Sequence, residues 1–315
     1  MSTQVNVENF VRAETDTMLA ALVARAGGVN RWTHNRQPTP LDDQPVIRQN
    51  RDTLYSTAVV DLTGGATLTL PDSGGRYLSA MVVNQDHYIN AVLHEPGEHR
   101  LTVAEHQTPY VCVALRILVD PDDPDDVAAV TRLQDAVGLE AGSATPFVAP
   151  DYDLESHQRT RTALLTLASG LSGFSRSFGR REDVDPVRHL VATAAGWGGL
   201  PEDEAYYLNV SPGLPPGAYE LTVPADVPVD GFWSISLYDA DGYFPTDAGD
   251  RVSVNNITAQ RDDDGAVTVR FGGPPDLPNR LPTPEGWNYL LRFYRPRPEI
   301  RDGRWTMPPL HPVEE

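Results

Sequence analysis

Apolar residues in the N-terminal segment recur at intervals of three and four, which is the spacing of a helix. The pattern covers residues 5–26 and ends at Gly27-Gly28, a frequent helix stop. Its apolar positions are Phe10, Val11, Met18, Leu19, Leu22 and Val23. We therefore predict an amphipathic helix within residues 1–30. The segment lacks the basic start and apolar run of a secretory signal peptide, so we expect a cytoplasmic protein.

The period changes to two, which is typical of β-strands, over residues 47–118. Short β-rich runs such as "ATLTL" and "RYLSAMVVN" are separated there by Gly-Gly, Asp-Ser-Gly-Gly and Pro-Gly turns. A second block of such runs covers residues 206–305. Helical patterns lie between the two blocks, at residues 156–178 and after Asp185-Pro186.

This order of helix, β block, helices and β block predicts a mainly β protein. We expect two jelly-roll-like β-sandwich domains, with an N-terminal helix and with helices between the domains. The predicted divisions are an N-terminal helix at 1–30, a first β-sandwich domain at 31–145, a helical connection at 146–200 and a second β-sandwich domain at 201–315.

Composition excludes several classes of function. The chain of 315 residues has a net charge of −19, whereas nucleic acids and anionic membranes attract basic surfaces. All 25 basic residues are arginines, so the lysine of pyridoxal phosphate chemistry and of a nucleotide P-loop is missing. The single cysteine, Cys112, lies in an apolar run and is predicted to be a buried small hydrophobe. No apolar run approaches the roughly eighteen residues of a membrane span.

Several motifs carry a family resemblance. "NRDTLYS" followed by "VDL" resembles the domain-of-unknown-function family numbered twelve-fifty-four. "AAGWGGLP", "VPVDGFWSISLYDADGYF", "SVNNITA", "GWNYLLRFYRP" and "DGRWTMPP" resemble the family numbered twelve-fourteen, with which it is paired. The resemblance covers about the whole chain after residue 30. It implies two jelly-roll-like β-sandwich domains, in that order, and it implies no particular reaction.

The polar stretch "NRDTLY", residues 50–55, stands at the head of a predicted strand. In one interpretation the stretch is catalytic. Asp52 is then a general base or metal ligand, Tyr55 a proton donor and Arg51 a clamp for an anionic substrate. His34, in the preceding loop, is a further candidate base because histidine titrates near neutral pH.

In the other interpretation the same stretch is a structural brace. Arg51 then pairs with a carboxylate, and Asp52 caps backbone amides where the loop enters the sheet. Alternate residues of a strand point to opposite faces. Asn50, which we predict to bind substrate, and Asp52 would therefore lie opposite Arg51 and Tyr55 unless a turn interrupts the strand.

A second candidate is rich in histidine and lies within residues 84–106. Cupin-type jelly rolls hold metals with inward histidines and a carboxylate, although the usual H-x-H pair is missing here. The simpler interpretation is a hairpin with solvated ends, and the metal question stays open. The side chains concerned are His87, His94, His99 and His106, with Asp86, Glu95 and Glu98.

The second β block supplies neutral hydrogen-bonding side chains and one arginine, a set that suits a small polar ligand. An aromatic core with amide braces is the alternative, and the tryptophans, including Trp305, are expected to pack in the core or at its rim. The predicted substrate-binding residues of this block are Tyr238, Asn255, Asn256, Asn288 and Arg292, with Thr258 and Tyr294 nearby.

Together these patterns favour a small-molecule enzyme without an organic cofactor. Its chemistry would be acid–base or metal-assisted hydrolysis, elimination or isomerisation of a small polar or anionic substrate, and a metal ion remains a possible cofactor. A non-catalytic ligand-binding or structural oligomeric module is the alternative. In either case we expect a small-molecule ligand, a homo-oligomer, and no nucleic-acid or membrane partner.

Overall fold

A computed structural model describes residues 2–44, 47–171, 173–246 and 251–313. The chain divides into two compact units, and each unit is discontinuous in sequence. The first unit contains residues 1–36, 54–118 and 129–202. The second contains residues 37–53, 119–128 and 203–315. Two segments of the predicted first domain, 37–53 and 119–128, are therefore part of the second unit.

The first unit combines two antiparallel sheets with helices. Its sheets have the strand orders β1-β2-β7-β4-β5 and β6-β3-β8, and α3 runs across the division between the units. The elements are α1 (Phe10–Ala26), β1 (Thr33–His34), β2 (Thr53–Asp61), β3 (Ala66–Leu70), β4 (Leu78–Asn84), β5 (Ile89–Leu93), β6 (Gly97–Leu101), α2 (Val103–His106), β7 (Tyr110–Leu118), α3 (Pro124–Asp135), β8 (Gly138–Ala141), α4 (Leu154–Ala168) and α5 (Pro186–Ala195).

The central strands of the larger sheet are buried on both faces, which explains their nearly continuous apolar sequences. All seven residues of β4 are buried, and so are all but the first residue of β7. Cys112 lies on β7, fully buried, and burial raises the pKa of its thiol to about 12. The prediction that this cysteine is a buried small hydrophobe is confirmed.

The helix signals in the sequence mark real helix ends. α1 stops at Gly27, whose left-handed φ of 74° suits glycine. α5 begins at Pro186 and is capped by Asp185, which accepts hydrogen bonds from the amides of Val187 and Arg188 at 3.0 Å each. The buried part of α1, however, is not purely apolar.

Polar and apolar side chains of α1 are buried together. The set is Phe10, Ala13, Glu14, Thr15, Asp16 and Leu19. Glu14 contacts His157 at 2.7 Å, and Asp16 accepts hydrogen bonds from Gln85 and Tyr152, both at 2.9 Å. Internal partners of this kind allow a helix to bury carboxylates, so the expected amphipathic pattern is only partly realised.

The second unit contains two sheets of four strands. Their orders are β12-β11-β15-β9 and β14-β13-β10-β16, and every pairing is antiparallel except that of β13 with β14. The elements are β9 (Ala205–Val210), β10 (Tyr219–Val223), β11 (Trp233–Tyr238), β12 (Ser253–Asn255), β13 (Val267–Phe271), β14 (Arg280–Leu281), β15 (Asn288–Tyr294), α6 (Pro298–Arg301) and β16 (His311–Pro312).

Both sheets contribute to a single hydrophobic core, as in a β-sandwich. Alternate residues of β11 and β15 enter this core, together with residues of β10 and β13 such as Leu221 and Phe271. The mainly β fold with an N-terminal helix is thus confirmed, and the jelly-roll description stays a prediction. In the part of the chain that the structure describes, no helix is long and apolar enough to cross a membrane.

Asp61, at the end of β2, holds a turn of the first unit together. Its Oδ1 accepts hydrogen bonds from the amide of Thr63 at 2.9 Å and from the Thr63 hydroxyl at 2.6 Å. Its Oδ2 accepts from the amide of Thr145 at 2.7 Å. Burial alone would raise the pKa of Asp61, but the hydrogen bonds from Thr63, Thr145 and Ser143 lower it to about 2.

We expect Asp61→Asn to lower the free energy of unfolding by about 1–3 kcal/mol at pH 7, because the amide cannot accept all three hydrogen bonds. Because the pKa of Asp61 is lower in the folded than in the unfolded state, its ionised carboxylate stabilises the folded state at neutral pH. This contribution is lost as pH falls from about 4 towards 2. Urea unfolding at pH 7 and melting curves between pH 2 and 5 test this. Glu182→Gln, at an exposed carboxylate, is the control. Equal stability of Asp61→Asn and wild type would refute the bracing role.

Candidate functional site

A buried polar layer covers one face of the β12-β11-β15-β9 sheet, opposite the hydrophobic core. We use the name polar layer for the segment 48–52 and the sheet residues that it covers. Strand register places the sheet residues on one face, with Ser234 paired to Asn255 and to Arg292, and Tyr238 paired to Asn288. The sheet residues of the layer are Ser234, Ser236, Tyr238, Asn255, Asn288, Arg292 and Tyr294, all of them buried.

Arg292 is the centre of the layer and is only 3% exposed. Its Nη1 donates to the Ser236 hydroxyl at 2.7 Å. Its Nη2 lies 2.6 Å from the Tyr238 hydroxyl, 3.0 Å from the Arg48 carbonyl and 3.2 Å from the Gln49 carbonyl. Burial alone would lower the pKa of this guanidinium, but Tyr238, Tyr294 and Asp52 raise it above its ordinary value. Arg292 is therefore a buried cation whose hydrogen-bond donors are used by acceptors of the protein and not by a ligand.

Tyr238 and Asn288 extend this network along the chain. The Tyr238 hydroxyl donates to the Gln49 carbonyl at 2.7 Å, and burial raises the pKa of Tyr238. The Arg48 guanidinium lies 5.0 Å from the centre of the Tyr238 ring and donates to the Asn288 amide oxygen. Asn288 in turn donates to the Asp239 carbonyl at 2.6 Å. The segment 48–49 is therefore fixed to the sheet through both main-chain and side-chain groups.

The motif that precedes β2 forms a turn, and the strand itself begins at Thr53. The Asn50 side-chain oxygen accepts the Asp52 amide at 2.8 Å, which is the bond of an Asx turn. The Asn50 amide donates to the Tyr294 hydroxyl at 2.9 Å. Arg51 donates to the Thr39 carbonyl. Because residues 50–52 form a turn and not a strand, their side chains need not point alternately to opposite faces.

Asp52 is fully buried, and only one of its carboxylate oxygens has a hydrogen-bond partner. Oδ1 accepts from the Asn255 amide at 3.2 Å. The Asn255 oxygen holds its own turn by accepting from the amides of Ile257 and Thr258, both at 3.0 Å. Oδ2 of Asp52 has no hydrogen-bond partner in the part of the chain that the structure describes. Asp52 is therefore held in place by a brace and keeps one free acceptor.

The polar layer brings together Asn50 and Asp52 with most of the side chains predicted from the second β block. Asn256 serves the backbone instead, because its oxygen accepts the Trp233 amide at 3.2 Å. Arg51 belongs to the same unit as Asp52, and burial lowers its pKa. Each of these side chains except Asp52 is engaged mainly with protein groups, as a brace requires.

Two predicted catalytic residues, His34 and Tyr55, lie in the first unit. His34 Nδ1 is 2.8 Å from the Ser56 hydroxyl. Burial lowers the pKa of His34, and the nearby Arg36 lowers it further. The ring of Tyr55 has the guanidinium of Arg116 at 5.4 Å from its centre.

The histidines of residues 84–106 are dispersed rather than convergent. His94 Nδ1 lies 2.9 Å from the Leu78 carbonyl, and His99 Nε2 lies 2.8 Å from the Glu95 carbonyl. His87 and His106 are fully buried. Within residues 2–44, 47–171, 173–246 and 251–313, no group of three or more His, Cys, Asp or Glu side chains is arranged to hold a metal.

His87 is a neutral structural histidine whose tautomer the hydrogen bonds define. The Thr193 hydroxyl donates to the His189 carbonyl at 2.8 Å, so it accepts from His87 Nδ1 at 2.8 Å. His87 Nε2 accepts the Gly198 amide at 2.9 Å. Burial, and then the neighbouring His189, lower the pKa of His87 well below its ordinary value.

The second unit contains an apolar groove of about 550 Å³. We call it the apolar groove. Its floor is formed by Tyr206, Leu208 and Val210 of β9 with Tyr289 and Leu291 of β15. Leu208 pairs with Leu291 and Val210 with Tyr289, so these side chains share one face. The C-terminal segment 303–310 forms the other wall.

The groove is an open side of the sandwich core. Tyr206, Leu208 and Trp305 pack against the core but stay partly exposed. β9 is the last strand of one sheet and β16 the last strand of the other, and the chain between α6 and β16 passes along this side. Sequence reasoning assigned Trp305 to packing and missed the groove. The available signals were the alternation in "AYYLNV" and the uncharged run "WTMPPL".

The comparisons with known families agree with the motifs. Residues 29–141 match the family described as Protein of unknown function (DUF1254), and residues 203–298 match Protein of unknown function (DUF1214). The chain belongs to these two paired families. The polar layer thus joins residues of the DUF1254 region, such as Asp52, to residues of the DUF1214 region, such as Arg292, within one compact unit.

Solved structures with the same fold come from two bacteria. A Vibrio parahaemolyticus protein is 18% identical over 98% of each chain, with a TM-score of 0.74. A putative uncharacterized protein from Burkholderia cenocepacia is 15% identical, with 95% of this chain and 85% of that chain covered and a TM-score of 0.51. These similarities show the fold. No curated protein matches the chain.

We expect Asp52→Asn to lower the free energy of unfolding by about 1–3 kcal/mol, since it removes a buried anion whose charge acts on the buried Arg292 cation. Urea unfolding at pH 7 is the measurement, with the exposed turn residue Asp263→Asn as the control in the same unit. A variant as stable as wild type, or more stable, would favour the catalytic interpretation because active sites often carry strain.

Arg292→Lys should destabilise the second unit by about 2 kcal/mol or more. A lysine ammonium cannot reproduce the planar set of donors that serves two hydroxyls and two carbonyls at once. Urea unfolding measures the loss, and hydrogen exchange of the amides in 48–52 shows whether that segment loosens. The exposed Arg181→Lys is the matched control. Unchanged exchange in 48–52 would contradict the central role of Arg292.

Proposed function

We propose that the protein is a non-catalytic binding module for a small, mainly apolar molecule, with the apolar groove as its site. The observation that carries this proposal is the groove itself. Its volume of about 550 Å³ lies in the range of about 300–1,000 Å³ that is usual for small-molecule sites. Aromatic and aliphatic side chains line most of it, with a few hydroxyl groups for orientation.

The location of the groove supports the same conclusion. Apolar side chains that stay exposed at an open side of a core lose contact with water when a ligand covers them. Leu208 and Met307 are only partly buried by the protein, so an apolar ligand would complete their burial. The groove lies within the second unit, and its lining comes from β9 and the chain that follows it, β15, α6 and the segment 303–310.

Acid–base chemistry at Asp52 is the second candidate function. The Oδ2 of Asp52 favours it, because this oxygen has no hydrogen-bond partner among the described residues and a general base needs an acceptor that the protein leaves unused. The commitment of Arg292 and Asn255 to internal partners supports the bracing role instead. A cytoplasmic location and a homo-oligomeric state stay predictions.

Fluorescence titration with N-phenyl-1-naphthylamine tests the binding proposal, because this neutral probe brightens in apolar sites. We expect saturable binding at one site per chain. Met307→Asp, which puts a charge into the groove wall, should weaken binding at least tenfold. Ile257→Asp, at an exposed apolar residue of the same unit outside the groove, is the matched control.

Melting curves must accompany both variants, so that loss of binding is separated from loss of fold. Absence of saturable binding to a folded wild-type protein would overturn the proposal. Equal weakening by Met307→Asp and Ile257→Asp would place the site elsewhere and would overturn the assignment to the groove.

A further inference from the structure

We propose that the apolar groove selects an uncharged, lipid-like molecule, with an extended apolar body and one neutral polar group, over a fatty-acid anion of the same length. This inference rests on the proposed function and specifies its ligand. It follows from the charges in and around the groove, from the hydroxyl groups in its lining and from the net charge of the chain.

The first argument concerns the side chains that carry a charge at neutral pH. Among the described residues that line the groove, none is Asp, Glu, Arg or His, although 22% of the chain is charged. A charged headgroup buried there would lose its hydration without gaining a counter-ion, and this costs several kcal/mol. A neutral headgroup needs only a hydrogen bond.

The second argument concerns two arginines beside the groove, Arg304 and Arg297, which already form ion pairs. Arg304 precedes Trp305 and contacts Asp302 with Nε at 2.8 Å and Nη2 at 2.7 Å. Arg297, before α6, contacts Asp230 at 2.8 Å. Arg301 is exposed and follows Ile300 of the lining.

The charge of Arg301 acts on the same carboxylate as that of Arg304. Hydrogen bonds from Arg304 lower the pKa of Asp302, and the charge of Arg301 adds to that effect. A carboxylate ligand would therefore compete with Asp302 for Arg304 and with Asp230 for Arg297. The net charge of −19 adds a repulsion that acts over longer distances.

The third argument is the supply of neutral hydrogen-bonding groups. Tyr206, Tyr289 and Thr306 line the groove, and each carries a neutral hydroxyl group. Burial raises the pKa of Tyr289 to about 12, so its phenol keeps its proton at neutral pH. Phenol and hydroxyl groups suit an alcohol, an aldehyde or an ester, and they do not neutralise a carboxylate.

Competition against bound N-phenyl-1-naphthylamine tests the inference with three probes of equal chain length. These are dodecanol, dodecanoate and dodecyltrimethylammonium, each kept below its micelle concentration at pH 8. We expect dodecanol to displace the dye at a concentration at least tenfold lower than dodecanoate. Dodecanoate competing as well as dodecanol would overturn the inference and leave the proposed function standing. Failure of the dye itself to bind would overturn the proposed function.

Two variants test the cause of the selectivity. Tyr289→Phe keeps the ring and removes the hydroxyl, so we expect it to weaken the binding of dodecanol by about fivefold, a typical hydrogen-bond contribution. Thr306→Arg adds a cation at an exposed lining position and should increase the affinity for dodecanoate at least tenfold. Thr222→Arg, exposed on β10 outside the groove, should not.

Dodecanol affinity unchanged by Tyr289→Phe would exclude Tyr289 as the polar contact. Dodecanoate affinity unchanged by Thr306→Arg would show that missing positive charge is not what disfavours the anion, and it would overturn the electrostatic basis of the proposal. Melting curves of the three variants confirm that each comparison is made on folded protein.

Discussion

The buried guanidinium of Arg292 is the interaction on which the second unit depends. It reaches a hydroxyl of its own sheet and two carbonyl groups of the segment 48–49. The segment between β1 and β2 is thereby fixed to a strand that lies some 240 residues later in the chain. A buried cation is tolerated only when its donors are satisfied. Arg292 therefore requires the carbonyl groups of residues 48 and 49 at this position, and the segment 48–49 in turn is held there by Arg292.

The same sheet has two faces with opposite chemistry. On β15, Leu291 and Phe293 enter the hydrophobic core, whereas Arg292 and Tyr294 enter the polar layer. Alternation along one strand thus separates a braced polar region from the apolar side that opens into the groove. Most polar groups of the layer bond to one another or to the backbone, while the groove exposes apolar surface. For this reason we propose the apolar groove, rather than the polar layer, as the binding site.

The sequence motifs identified the residues of the polar layer but not their roles. Asn50, Asp52, Asn255 and Arg292 were all chosen as chemically rich positions, and the structure brings them together. Residue type alone could not show that Asn50 closes a turn or that Arg292 serves carbonyl groups, because those partners are backbone atoms that every residue possesses. His34 and Tyr55 were chosen on the same grounds and lie in the other unit.

Local pattern determined the elements and the class of the fold. Proline and glycine signals marked the ends of α1 and α5, and alternation marked the strands, because these depend on neighbouring residues in the chain. The division into units was decided only by tertiary structure, since segments 37–53 and 119–128 belong to the same unit as residues 203–315, which lie far along the sequence. The groove likewise requires β9, β15 and the segment 303–310 to meet. No local pattern contains that information, because the contacts that create it join residues that are distant in sequence.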